Sequence, residues 1–153
     1  MEPSRTETLL AETLALLGGR AVLGARPRSS LQLDSLCRRG LPFAAYERVL
    51  GRMQAPAKER SGADRQRGLA KTTRHRRQTQ GRLTPQESET LVRLARVLAT
   101  ASYVLGSEEE ARRFLYTPHP KLRNSPPADL IDTELGAATV ENILWRAFYG
   151  IPA

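Results

Sequence analysis

Residues 72–98 read TTRHRRQTQGRLTPQESETLVRLARVL, and two helices meet in this stretch. Thr84 is a natural N-cap. Pro85 suits the first helical position, where its fixed φ helps and its missing N–H costs nothing. Glu87 stands three residues past the cap, where its carboxylate can return to the cap N–H. From there Leu91, Leu94, Leu98, Ala101 and Leu105 step by 3, 4, 3 and 4 residues, the period of a helix burying one seam. The spacing predicts a long helix over Pro85–Leu105, ended by Gly106. Such a seam serves either a packed core or a self-associating helix pair.

The helix ahead of it, closing near Gly81, has a different character. Lys71, Thr72, Thr73, Arg74, Arg76, Arg77 and Gln78, with Arg82 just beyond, combine cationic reach with short hydroxyl and amide donors. Phosphate oxygens and base edges accept hydrogen bonds from such groups, so these eight residues are the candidate DNA contacts. His75 lies among them as a phosphate neighbour or a plain surface residue. A solvated arginine face is the other reading of the run.

Charge distribution favours a polyanion partner. The chain has 153 residues and a net charge of +8. Residues 1–106 carry 19 Lys/Arg against 9 Asp/Glu, a net of +10, whereas residues 107–153 carry 5 against 7, a net of −2. The excess peaks between Lys58 and Arg82, with 9 basic and 2 acidic residues. This asymmetry points to nucleic acid for the first part and a different partner for the last. The basic run lacks the Trp/Phe/Leu face of a membrane-surface helix. No run approaches the ~20 apolar residues of a membrane span, and the N-terminus has no apolar stretch of signal-peptide length. The expectation is a soluble, cytoplasmic protein.

Leu and Ala recur at helical spacing with no sustained strand alternation, so the fold is expected to be all-α. The first helix is read over about Thr6–Leu17, with Leu9, Leu10, Leu14 and Leu17 as its stripe and Gly18-Gly19 as its end. A loop with Gly24 and Pro27 follows. The second helix starts at Ser29 or Ser30, uses Leu31, Leu33 and Leu36, and stops at Gly40. Pro42 opens a third, with Phe43, Tyr46, Val49, Leu50 and Met53 on one face. Gln54–Gly68 reads as a loop or a poorly formed turn of helix. Ser107 and Glu110 predict a second capping box. Thr117–Gly136 reads as turns with one short helix over Pro127–Ile131, in which Leu122, Leu130, Ile131 and Leu135 want burial. Cys37, the single cysteine, forms no internal disulfide. It is either a thiol activated by Arg38 and Arg39 or a partly buried helix residue.

The last helix is read over about Ala137–Tyr149. At ~100° per residue, Val140, Ile143, Leu144, Ala147 and Phe148 form a core face. Glu141, Trp145 and Tyr149 form a second face, with Asn142 and Arg146 beside it. Trp, Tyr and Arg dominate binding hot spots, so this second stripe is either an interface or a lateral filling of the core.

Several ordered motifs resemble the Xre/MbcA/ParS antitoxin family, partners of RES-domain toxins. They are RRGLPFAAYERVL (38–50), TTRHRRQTQGRLTPQESETLVRLARVLATA (72–101), EEARRFLYTPHPKL (109–122) and SPPADLIDTELGAATVENILWRAFYGIPA (125–153). Phe114 stands where members often carry tryptophan. The segment KERSGADRQRGLAK (58–71) lacks the apolar helix expected of the first half of a helix-turn-helix. The resemblance implies an N-terminal helix and loop (1–28), an Xre-like helix-turn-helix DNA-binding domain (29–106) and a small helical toxin-binding domain (107–153). It implies that Glu141, Asn142, Trp145, Arg146, Tyr149, Gly150 and Ile151 meet the toxin. A RES toxin is similar to ADP-ribosyltransferases and consumes NAD, so the antitoxin is expected to block the NAD pocket and to repress its own operon. A homodimer within a toxin–antitoxin hetero-oligomer is the expected assembly, and removal of residues 137–153 is expected to leave a folded N-terminal part.

No catalytic constellation stands out, and an enzyme, a cofactor or a metal site is not expected. His119 has no ligand partner at suitable spacing. Asp132 and Glu134 read as cap or ion-pair residues rather than paired catalytic carboxylates. Two other readings remain: a stand-alone helix-turn-helix transcriptional regulator without a toxin partner, and a general RNA-binding or ribosome-associated protein.

Overall fold

The computed structural model describes residues 2–54 and 69–152, and it is all-helical across them, with no strands among the described residues. Helix α1 spans Arg5–Leu16, α2 Gly19–Leu23, α3 Ser30–Arg39, α4 Phe43–Arg52 and α5 Lys71–Gln80. They are followed by α6 over Pro85–Leu105, α7 over Glu108–Tyr116 and α8 over Glu134–Phe148. The expectation of a loop over Gln54–Gly68 falls outside the described residues apart from Gln54, which is non-helical.

Helix α6 is the axis of the molecule, and α1, α3, α4, α7 and α8 all pack on it. Its start is the expected capping box. The Thr84 hydroxyl accepts from the Glu87 N–H at 3.1 Å, and the Glu87 carboxylate accepts from the Thr84 N–H at 2.8 Å. Leu91, Leu94, Leu98 and Ala101 are buried, as are Ala95 and Val97 between them, so the seam faces the chain's own helices. A single apolar cluster runs from Leu17 of the N-terminal segment to Leu144 of α8. It therefore draws on all three segments of the expected division.

Helices α3 and α4 are joined by only Gly40, Leu41 and Pro42, a connection of helix-turn-helix length. The turn is clamped to the α5–α6 turn. Phe43 N–H donates to the Gly81 carbonyl and Leu83 N–H to the Leu41 carbonyl, each at 2.9 Å. The Leu41 N–H donates to the buried Ser88 hydroxyl at 2.8 Å. Gly40 sits at φ +83°, where a Cβ would lie 2.3 Å from the Leu83 carbonyl oxygen, so only glycine fits there.

Several expectations are corrected. Leu31 is 75% exposed, and Leu33 with Cys37 forms the inner face of α3 instead. The segment after Gly18 opens with helix α2 before its loop. Helix α1 starts at Arg5 because Ser4 and Glu7 form a capping box of their own. Ser107 caps α7 by accepting from Glu110 N–H, but the Glu110 carboxylate pairs with Arg113 at 2.6 Å. The short helix expected at Pro127–Ile131 is a 3₁₀ turn over Pro127–Asp129, and a second such turn spans Pro120–Leu122. Helix α8 begins at Glu134 because Thr133, not a later residue, is its N-cap. That shift leaves Leu135 on the outer face of the first turn, 84% exposed. At the far end Ala147 and Phe148 are exposed rather than core. Ala137, Val140 and Leu144 are fully buried, so removing residues 137–153 would open the core and would not leave the rest intact.

Candidate partner interface and nucleic-acid face

Helix α8 is held on α6 by a row of ions. The Arg93 guanidinium meets Glu134 at 3.0 Å and donates to the Asp132 carbonyl at 2.7 Å. Arg96 bridges Glu134 at 3.1 Å and Glu141 at 2.8 Å. Burial opposes ionisation of Glu134, but Arg93 and Arg96 outweigh it and hold the carboxyl below its usual value. The Glu134 carboxylate and the Asp132 carbonyl thus serve the packing of α8 on α6. Glu141, read from the sequence as a toxin contact, already has Arg96 as its partner and is half-buried.

The remaining residues of the expected toxin face gather at the C-terminal end of α8. Trp145 is half-buried, while Asn142, Arg146, Tyr149, Gly150 and Ile151 are exposed. The chain turns back over the helix end: Ile151 N–H donates to the Arg146 carbonyl at 2.9 Å, and the Arg146 guanidinium donates to the Pro152 carbonyl at 3.0 Å. Trp145 lies against Tyr103 of α6 with ring centroids 6.0 Å apart, and Phe148 packs edge-on to Trp145 at 5.6 Å and to Tyr149 at 5.2 Å. Tyr149 is 53% exposed, Ile151 48% and Phe148 44%. An apolar end this open, flanked by a guanidinium, has the composition of an interface core.

Sequence reasoning missed three members of this cluster: Phe148, Tyr103 and Arg5. The wheel assigned Phe148 to the core because it falls within the apolar arc of α8. The core, however, ends one turn earlier, at Leu144. Tyr103 and Arg5 arrive from other helices, and no local pattern marks them.

The basic helix α5 has no buried residue. Lys71, Thr72, Arg74, Arg76 and Gln78 are exposed, while Thr73 and Arg77 face inward as an i, i+4 pair. Arg77 is committed within the chain: it meets Glu87 at 2.9 Å, and the two side chains are 14% and 18% exposed. Burial opposes ionisation of Glu87, but Arg77 and the Thr84 N–H hold the carboxyl below its usual 4.5. Arg82 is exposed and donates to the Gly40 carbonyl at 2.8 Å. At the other end of α5, Leu69 N–H donates to the Tyr46 hydroxyl at 2.8 Å. A helix that buries almost nothing is thereby pinned at both ends to the core.

Cys37 is a buried helix residue. Burial first, then the carboxylates of Asp34 and Glu89, push its thiol up to about 11. Arg38 and Arg39 point into solvent, so they do not activate it. His119 caps a 3₁₀ turn by accepting from Lys121 N–H. Among the described residues no group of three or more His, Cys, Asp or Glu is placed to hold a metal ion, and no helix is long and apolar enough to cross a membrane.

One match to a known family falls on the same end of the molecule. Residues 100–150 match the family described as the antitoxin Xre/MbcA/ParS C-terminal toxin-binding domain. The match takes in the last turn of α6, all of α7 and α8, and Trp145 to Gly150. Over 77 residues the chain is 35% identical to a protein named Antitoxin Xre from Yersinia enterocolitica serotype O:8 / biotype 1B (strain NCTC 13174 / 8081). That alignment covers 50% of this chain and 52% of the Yersinia protein, so the chain spans about half the length of that relative. Both matches agree with the resemblance that the sequence motifs carry.

Proposed function

We propose that this chain is the antitoxin of a toxin–antitoxin pair, a non-enzymatic inhibitor that binds its toxin through the C-terminal end of α8. The observation that carries the reading is the exposed strip of Arg146 and Tyr149 beside Trp145, inside the segment matching a toxin-binding domain, with Ile151 just past its end. The partner is a RES-domain toxin that consumes NAD, and the strip with residues 150–153 covers its NAD pocket. Inhibition is then steric and electrostatic exclusion, which needs no catalytic group on this chain. The exposed cations of α5, namely Lys71, Arg74 and Arg76 with Thr72 and Gln78, bind operator phosphates and base edges, and the complex represses its own operon as a dimer-based assembly. Cationic side chains standing clear of the core on a helix pinned at both ends support this second role.

The test is a growth assay with the product of the adjacent reading frame, induced with and without this chain. Wild-type protein restores growth and co-purifies. Arg146→Glu with residues 150–153 deleted leaves the helical core intact and loses protection. Unimpaired rescue by that variant sinks the assigned surface, and a harmless neighbour that does not co-purify favours the stand-alone regulator.

A further inference from the structure

Arg5 occupies the first position of α1, where a cation opposes the helix dipole. Ser4 and Glu7 already cap that end, so helix stability does not account for an arginine there. Its guanidinium instead reaches the far end of the chain. The guanidinium carbon lies 5.0 Å from the Trp145 ring centroid, 5.2 Å from Tyr149 and 5.7 Å from Phe148, and one nitrogen donates to the Tyr149 hydroxyl. Three aromatic rings at the C-terminal end of α8 thus lie within cation–π reach of one guanidinium. From the other side Tyr103 of α6 backs Trp145 and Phe148 at 6.0 and 5.7 Å. The rings are held from within while Tyr149 and Phe148 keep open outer edges.

We propose that Arg5 is a positioning residue for the partner interface: it fixes Trp145, Phe148 and Tyr149 in one arrangement before the partner arrives. The inference rests on the reading of this surface as the toxin-binding site. Aromatic side chains left mobile must be ordered at binding, and that ordering subtracts from affinity. A cation already seated among them removes that cost. It also makes the N-terminal helix part of the C-terminal interface, although the family match begins only at residue 100.

The experiment uses the full chain with Arg5→Ala and Arg5→Met, the latter keeping the aliphatic stem without the charge. Trp145 is the only tryptophan, so acrylamide quenching of its emission reads that ring directly. Both variants are expected to show stronger quenching at unchanged helical content. Both should bind the toxin from the adjacent reading frame about tenfold more weakly. Unchanged quenching overturns the proposal, because Arg5 then does not hold the ring. Stronger quenching with wild-type affinity also overturns it, because the arrangement then does not serve binding. If wild-type protein binds no toxin, the functional reading fails and takes this proposal with it. If wild type and both variants bind equally, only the proposal fails.

Discussion

Gly136 lies in the first turn of α8 with its N–H donated to the Thr133 cap, and a Cβ there would stand 1.7 Å from the Leu130 carbonyl oxygen. The contact is with backbone, so no side chain can move aside. Gly136→Ala is expected to cost about 2 kcal/mol or more, read as a lower urea midpoint. An unchanged midpoint would mean the α8 entry is looser than the structure has it. Glu87 gives a second residue-scale expectation, with its sign fixed by the direction of its shift. A carboxyl held below 4.5 in the folded state contributes stability that is present above 4.5 and lost as pH falls through the folded value. Glu87→Gln should therefore lower stability at neutral pH and flatten the acid-side decline below about 4.5. A parallel pH profile for wild type and variant would contradict the Arg77–Glu87 pairing.

Helices α5 and α8 do different work because of what their exposed faces carry and how each is anchored. The α5 helix was legible as basic from Lys71 to Arg82, yet its two kinds of arginine were not separable in the sequence. Arg74 and Arg76 reach solvent, whereas Arg77 closes on Glu87 and Arg82 donates to the Gly40 carbonyl. Both distinctions come from the neighbouring α6 and the α3–α4 turn, elements that the local pattern does not see. If α5 tracks phosphates, Arg74→Ala with Arg76→Ala should reduce the slope of log affinity against log salt by about 2. Thermal stability should stay near wild type, since neither side chain is buried. An unchanged salt slope would remove α5 from the DNA surface. For α8, sequence periodicity located Val140 and Leu144 correctly but misjudged Phe148, and Leu135, read as a buried residue of the preceding turns, is an exposed residue of the helix. A wheel gives angular position along a helix, and burial also depends on where the facing helix stops.

At the scale of the whole molecule, the long helix α6 was read to the residue from its capping box, its 3–4 seam and Gly106. Strong local chemistry at both ends and a regular 3–4 apolar spacing leave little for tertiary context to change in its bounds. The aromatic end of α8 was legible only in part. Trp145, Arg146 and Tyr149 share a segment, but Arg5 is 140 residues from Trp145, and only the packing of α1 on α6 brings them together. The apolar cluster joins the N-terminal segment to α8, so the two proposed activities belong to opposite chemistries on one core: a cationic face on α5 and an aromatic end on α8. The most direct test of that claim measures binding to operator DNA and to the neighbouring toxin for two variants in parallel. The Arg74→Ala/Arg76→Ala chain should lose DNA affinity and retain toxin affinity. Arg146→Glu should lose at least tenfold in toxin affinity and retain DNA binding. Toxin binding that survives Arg146→Glu but falls with the α5 substitutions would contradict the assignment of α8 as the inhibitory surface.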